Sequence, residues 1–551
     1  MPGYRCHTLL GATLLAAPFL SASAAVFTVG NDGSCTHDSI QAAINAAAAN
    51  GPGVDDIRIL AGVREAQALR IADQSVQISG GWPSCTASAP AGVTELHGGQ
   101  GSVVQVRGAG GGDVHTVHLS RLRLTQGNGG DDGRGGGLDA EGALRVVLAD
   151  VEIDHNEAFQ GGGGAFIGGP SSGFGGILEL HRGVVIHHNR ATQGAGARGG
   201  GIQVERASLR VRADAVEIRD NDAVFGGGIH VQQGQVSIGN SGEPEVTQNA
   251  TGLRISGNHA HIGGGVYVFG SGALFDAYEL RLENNRADQY GGGLYASGGA
   301  QIQIQRDYPN ANAVQCSGPD CSRIAGNQAG DGCPGTRGHG GGVYLDNARA
   351  YISQTEFRDN CAYGSPALNT WGPFLRVNSV LFARNRLTAR GFDQTGAQTV
   401  SISSRNGDPA RDIEMNFATF ADNVFVGEGG ATTPATSLYA ASPGDRFVMR
   451  ASAFKDPVPW TVTSAGACNR SGLTGAEFVA GGIGNYRPEA GSPLVDACSS
   501  TDVPVNSRDP ELRARCLDNP VPDRGGTCDI GAYEREAGTP TDRLFANGFE
   551  S

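Results

Sequence analysis

The sequence predicts an all-β solenoid, a parallel coil of short strands in which each turn stacks on the last. Three observations predict it. A short mark built around one Asn recurs nine times, at Asn156, Asn189, Asn221, Asn258, Asn285, Asn327, Asn360, Asn385 and Asn423. A large apolar residue stands three before each: Ile153, Ile186, Ile218, Ile255, Leu282, Ile324, Phe357, Phe382 and Phe420. Glycine triplets recur between the marks and run into Leu138, Ala165, Ile202, Ile229, Val266, Leu294 and Val343.

The spacing between Asn marks varies from 25 to 42 residues around a fixed short core, as expected of a rung of constant geometry with loops of variable size. The intervening text alternates with period two, as in "GALRVVLADVEI", "ASLRVRADAVEI" and "AQIQIQ", and carries no crossover-helix pattern. Strands of one coil should therefore stack about 4.8 Å apart, with the nine Asn in one file and the residue at minus three inside the tube. Asn and Gly both suit the left-handed corners such a coil needs, and stacked Asn amides can bond along the axis.

Residues 1–25 read as a secretory signal: Arg5, an apolar run from Leu9 to Leu20, and "SASAA" for cleavage. The run contains Pro18 and is too short to anchor the chain, so no transmembrane segment is expected in the mature protein. Cys6 precedes the apolar run, which argues against a lipoprotein signal. Within residues 26–113, "CTHDSIQAAINAAAANGPG" reads as one helix. Asp38 or Ser39 caps it, Ile40, Ala43, Ile44 and Ala47 share a face, and Gly51 ends it. Residues 114–426 hold the repeats, residues 427–537 the last rungs and a cap, and residues 538–551 a tail that can serve as a sorting signal.

The [ILF]-x-x-N and G-G-[ALIV] pairing resembles the repeat of the polymorphic outer membrane protein family. That resemblance implies a right-handed parallel β-helix. Residues 26–110 look like the opening of a pectin-lyase-like β-helix, whose helix plugs the end of the tube. "NYRPEAGSPLVDAC" and "CDIGAYE" resemble the ending of the choice-of-anchor Q domain of bacterial surface β-helices.

Removing Cys6 with the signal leaves ten of the 11 cysteines, an even number suited to disulfides in an oxidising compartment. The expected pairs are Cys35 with Cys85, Cys316 with Cys321, Cys333 with Cys361, Cys468 with Cys498, and Cys516 with Cys528. Cys498 can reach Cys516 or Cys528 instead. No C-x-x-C with matching His spacing suggests a zinc site.

A net charge of −14 without a basic run argues against a nucleic-acid partner. The catalytic marks of a polygalacturonase are incomplete. Asp131-Asp132 and Gly338-His339-Gly340 lie about 200 residues apart, and N-T-D and R-I-K are absent. Lys455 is the single lysine, so a lysine base is missing from the repeats. Asp131 and Asp132 are candidates for one calcium ion in a loop, with a solvated acidic loop as the plainer reading. His155, His187, His188, His259 and His261 sit beside turn Asn residues, where stacking can gather them into a metal or pH-responsive patch.

No catalytic residue and no obligatory cofactor is assigned. The expected function is a non-enzymatic adhesive, structural or glycan-binding role. It would be exercised as a secreted or outer-membrane, cell-surface protein of a Gram-negative bacterium. Surface glycans or host and cell-surface components are the expected partners. The alternatives are a polysaccharide lyase or glycoside hydrolase acting on an acidic polysaccharide in a lateral groove, and an autotransporter-like passenger.

Overall fold

The computed structural model describes residues 24–535 except 52, 65–67, 109–113, 131, 171–174, 193, 213–214, 240–252, 307–321, 333, 389–397, 404–410, 441–445, 459–467, 505–506 and 518–525. Nearly all of the expected signal (residues 1–23), the tail, Asp131, Cys316, Cys321 and Cys333 lie outside the described residues. The described chain is a parallel β-helix with three sheets, a broad one of 23 strands, a second of 12 and a narrow third of nine, followed by a two-stranded antiparallel sheet of Phe478–Ala480 and Asn485–Pro488.

One rung shows how the sequence bends into a coil. Leu138–Glu141 lies in the second sheet. Gly142, at φ 108°, turns the chain into the broad-sheet strand Leu144–Asp154, which kinks at Asp150. His155, at φ 52°, makes the next corner, and Asn156 leads toward the third sheet. Gly162, at φ 66°, returns the chain to the second sheet at Ala165–Gly168.

The apolar residues three before each Asn stack in register without a slip. Ile153 pairs with Ile186, then Ile218, Ile255, Leu282, Ile324, Phe357, Phe382 and Phe420 follow in turn. The file extends below to Leu124 and above to Phe454. All are buried in one continuous core that runs from Val29 to Phe454. Each side chain contributes roughly 1.5–3 kcal/mol by leaving water.

The Asn residues form an amide ladder with one coil per repeat. Asn156 Nδ2 donates to Asn189 Oδ1 at 3.0 Å, and the same bond repeats upward to Asn385 and Asn423 at 2.8 Å. Each Nδ2 also donates to a carbonyl of the rung below, as Asn156 does to Leu124 at 2.9 Å. Asn423 Nδ2 ends the ladder on Asp456 Oδ2 at 2.5 Å. One expectation is corrected: the ladder Asn is not the left-handed residue. That conformation falls on its predecessor, among them His155, His188, Asp220, Asn284, Asp359, Arg384 and Asp422. The Asn is needed for its buried amide.

The triplet glycines divide the work. The first takes positive φ. The third has no room for a side chain: a Cβ on Gly201 would lie 2.6 Å from the Gly228 carbonyl and 3.0 Å from Asn221 Nδ2.

The lower end carries the helix Ile40–Ala49, with Ser39 as N-cap and Ile40, Ala43, Ile44 and Ala47 buried in the tube core. Gln41 uses its carboxamide as a surrogate strand. Nε2 donates to the Arg70 carbonyl at 3.0 Å, and Oε1 accepts from the Arg70 amide at 2.8 Å. Cys35 and Cys85 are joined, with Cα atoms 5.1 Å apart.

The C-terminal cap packs against the flank of the upper rungs. Leu381, Ala383, Phe417, Ala421, Ala451 and Ala453, on the outer side of the broad sheet, form a second core with Tyr486, Leu494, Ile530 and Tyr533. Polar anchors join in: Arg515 Nε donates to Ser379 Oγ at 3.2 Å, the Ala532 amide to Thr419 Oγ1 at 2.8 Å, and Tyr533 Oη to Glu356. Cys516 and Cys528 staple this cap, and Cys361 is disulfide-bonded. The expected Cys468–Cys498 pair is corrected: both carry free thiols. Cys498 is held by backbone hydrogen bonds to Cys528, and its Sγ donates to the Cys468 carbonyl at 3.7 Å. No described helix is long and apolar enough to cross a membrane.

Candidate functional site

The positive-φ glycine that opens each triplet folds the chain sharply enough to place two positions of every rung side by side on the surface. The residue before that glycine forms one wall. In bridge register this wall reads Arg134, Gly161, Arg198, Phe225, Ile262, Tyr290 and His339. The residue four after the glycine, outward on the second sheet, forms the other wall. Its register runs Asp139, Phe166, Gln203, His230, Tyr267, Tyr295, Tyr344 and Asn369.

Rings fill the middle of this groove. His230 and Tyr267 stack at 5.0 Å between centroids, Tyr267 and Tyr295 at 5.0 Å, and Tyr295 and Tyr344 at 5.5 Å. Phe225 meets Tyr267 edge-on at 5.5 Å, and Tyr290 meets Tyr344 at 5.0 Å. Burial pushes His230 down to about 3, so its imidazole is neutral, and its Nδ1 has no hydrogen-bond partner. Ring faces are shared along the axis, so the groove presents ring edges and hydroxyl groups.

Toward the lower end the rings give way to a cavity of about 330 Å³, lined by Arg134, Phe159, Gln160, Arg198, Gln203, Glu205 and the backbone of Gly194–Ala197. It is at the small end of ligand pockets. Phe159 is 54% exposed at its mouth, an unusual place for a large apolar ring. Arg134 lies over Phe166 at 4.9 Å, and Arg198 Nη1 donates to Gln232 Oε1 at 2.8 Å. Gln203 is buried with Oε1 unpartnered, a cost that a hydrogen-bonding ligand or water would remove. Lower still, Arg107 pairs with Asp139, whose carboxyl burial lifts to about 6.

The structure separates the expected site residues. Asp132 is exposed and meets the Arg107 guanidinium at 3.3 Å, and it belongs to no group of three metal-donor side chains among the described residues. His155, His187 and His188 come together on the broad sheet. His155 and His188 stack at 5.3 Å, and the Nδ1 atoms of His187 and His188 are 2.7 Å apart. His259 sits apart on the third sheet, between Asp222 at 2.9 Å and Asp288 at 3.2 Å. The hydrogen bond with Asp222, helped by that with Asp288, raises the pKa of His259. His261 lies 3.6 Å from Asp288.

The chain matches no family model, no curated protein and no solved structure.

Sequence reasoning missed the ring file, although its signal is written beside the triplets. "GGGGAF", "GGGIH", "GGGVY", "GGGLY" and "GGGVY" place a ring two residues past the last glycine at Phe166, His230, Tyr267, Tyr295 and Tyr344.

Proposed function

We propose that the protein is an exported, cell-surface β-helix that holds a glycan in this groove without chemically altering it. The observation that carries the reading is the groove itself: rings and guanidinium groups on two walls, a cavity, and buried polar atoms without partners. Carbohydrates offer both the C–H faces and the dense hydroxyl groups such a lining would meet. The guanidinium groups Arg134 and Arg198 line the cavity together with the Glu205 carboxylate, a mixed lining better suited to hydroxyl groups than to a uniformly charged polymer. Resemblance to polymorphic outer membrane protein repeats and to the choice-of-anchor Q ending supports a Gram-negative surface location, as do the signal-like N-terminus and the disulfides.

The test is a glycan-array screen of the purified chain, followed by titration of the best ligand. Phe159→Ala and Gln203→Ala should each weaken binding at least tenfold, while Tyr351→Ala, an exposed ring on the broad sheet, leaves it unchanged. Absence of any glycan ligand, or equal affinity in the cavity variants, overturns the reading.

A second reading rests on Arg107 and Asp139, a guanidinium and a high-pKa carboxyl in the same groove. They recommend a parallel assay for lyase or hydrolase turnover on acidic polysaccharides. Product formation abolished by Asp139→Asn would favour that chemistry.

A further inference from the structure

On another face, the outer side of the lower broad sheet, the strands Leu144–Asp154 and Val185–His187 pair in parallel with Asp154 directly opposite His187. Glu152 lies two residues before Asp154, on the same side of the strand. We propose that Glu152, Asp154 and His187 bind a divalent transition-metal ion of the zinc class.

The donor atoms of the three side chains all lie within 4.8 Å of one another, and His187 Nε2 is 2.8 Å from Glu152 Oε1. Ligands of a tetrahedral ion, held at 2.0–2.1 Å, stand roughly 3.3 Å apart. The His187–Glu152 contact therefore opens by about half an ångström to admit the ion. Asp154 and His187 are buried on regular strands, which fixes two donors. Glu152 is 43% exposed in its side chain and provides the entry side, with a fourth position left for water. Neutral imidazole with two carboxylates is a donor set this ion class favours.

The surroundings agree in charge and in proton placement. Glu95, Glu152 and Asp154 surround one guanidinium, that of Arg123, a local excess of two negative charges. Arg123 grips both oxygens of Asp154, at 2.6 and 2.9 Å, and so orients that carboxylate. The ion takes the place that His155 Nδ1 holds on Asp154 Oδ2, at 2.6 Å. With Nε2 on the metal, the His187 proton sits on Nδ1 and is donated to His188 Nδ1, 2.7 Å away. A ligand histidine whose second nitrogen is held by an acceptor is the usual supporting arrangement of protein metal sites. The other clustered donors among the described residues, Asp32 with Cys35 and Cys85, lose both sulfurs to a disulfide.

The experiment is calorimetric titration of the untagged, chelator-dialysed chain with Zn²⁺, repeated for Glu152→Gln, His187→Ala and the double variant His259→Ala/His261→Ala. The expected result is one ion bound at this site. Glu152→Gln and His187→Ala each lose at least tenfold in affinity, and the third-sheet double variant binds like the parent. Glu152 is half-exposed, so its variant folds even if His187→Ala does not. Circular dichroism of each protein separates lost ligand from lost structure. No saturable uptake, parental affinity in folded Glu152→Gln, or loss of the ion in the third-sheet variant overturns the proposal.

Discussion

Asn284 and Asn285 are neighbours of identical chemistry, and their replacement by alanine should differ by several kcal/mol. Asn285 is buried. Its Nδ2 donates to the Ile255 carbonyl at 2.9 Å and to Asn327 Oδ1 at 3.0 Å, and its Oδ1 accepts from the Asn258 amide at 3.0 Å and Asn258 Nδ2 at 2.9 Å. Asn285→Ala removes these four bonds and leaves the Ile255 carbonyl, one lone pair of Asn327 and two N–H groups of Asn258 away from water. At about 1 kcal/mol net for each bond, and more where a buried group is orphaned, the loss is about 4–6 kcal/mol. Asn284 is exposed at φ 55°, so alanine there loses only the residue's tolerance of a left-handed corner, about 1 kcal/mol. A solenoid opens locally, so amide exchange is a better assay than a global melt. Exchange at the Asn258 amide should accelerate about a thousandfold in Asn285→Ala and less than tenfold in Asn284→Ala. Equal protection in the two variants would refute the ladder as a source of stability.

Four further outcomes follow from the same geometry. Ile255→Asp places an unpaired carboxylate in the tube core and should cost several kcal/mol; a melting temperature equal to the parent's would put Ile255 outside. Gly201→Ala should destabilise strongly and Gly491→Ala, where the added Cβ would meet no atom within 4 Å, hardly at all; similar chemical-denaturation midpoints would contradict the close approach of successive rungs. Burial lifts the Asp456 carboxyl to about 7, so the folded state holds its proton more tightly than the unfolded chain does. Its contribution is full below about pH 4 and is lost as pH rises through 7. Asp456→Asn should therefore flatten that part of the stability–pH curve and raise stability at pH 8 by up to a few kcal/mol; an unchanged profile rejects the assignment. Peptide mapping should recover the Cys35–Cys85 and Cys516–Cys528 links. Buried Cys498 should react with thiol reagents only after unfolding, and a Cys468–Cys498 crosslink in the native protein would overturn its free state.

The tube was legible because its signals are local. An Ile three before an Asn, an alternating run and a glycine triplet each need only a few residues of context, and the helix face Ile40, Ala43, Ile44 and Ala47 needs one window. What could not be read depends on neighbours about thirty residues away. Asp154 meets His187 only through rung register, so the sequence grouped the histidines without their carboxylates. The corner conformation was assigned to the Asn because both roles suit that residue type, and only burial of the amide separates them. The flank-packed cap has no period to read: Arg515 finds Ser379 across 136 residues.

The surrogate strand made by Gln41 bears on how copies of this molecule behave together. A parallel coil that ends in bare amide and carbonyl groups is a template on which the top of another coil can grow, the first step toward a fibre. Here the lowest strand of the second sheet has its Arg70 amide and carbonyl already occupied by a side chain of its own chain. Replacing Gln41 with leucine would keep the helix and free that edge. The protein would then be expected to lengthen head to tail in concentrated solution while each copy stayed folded.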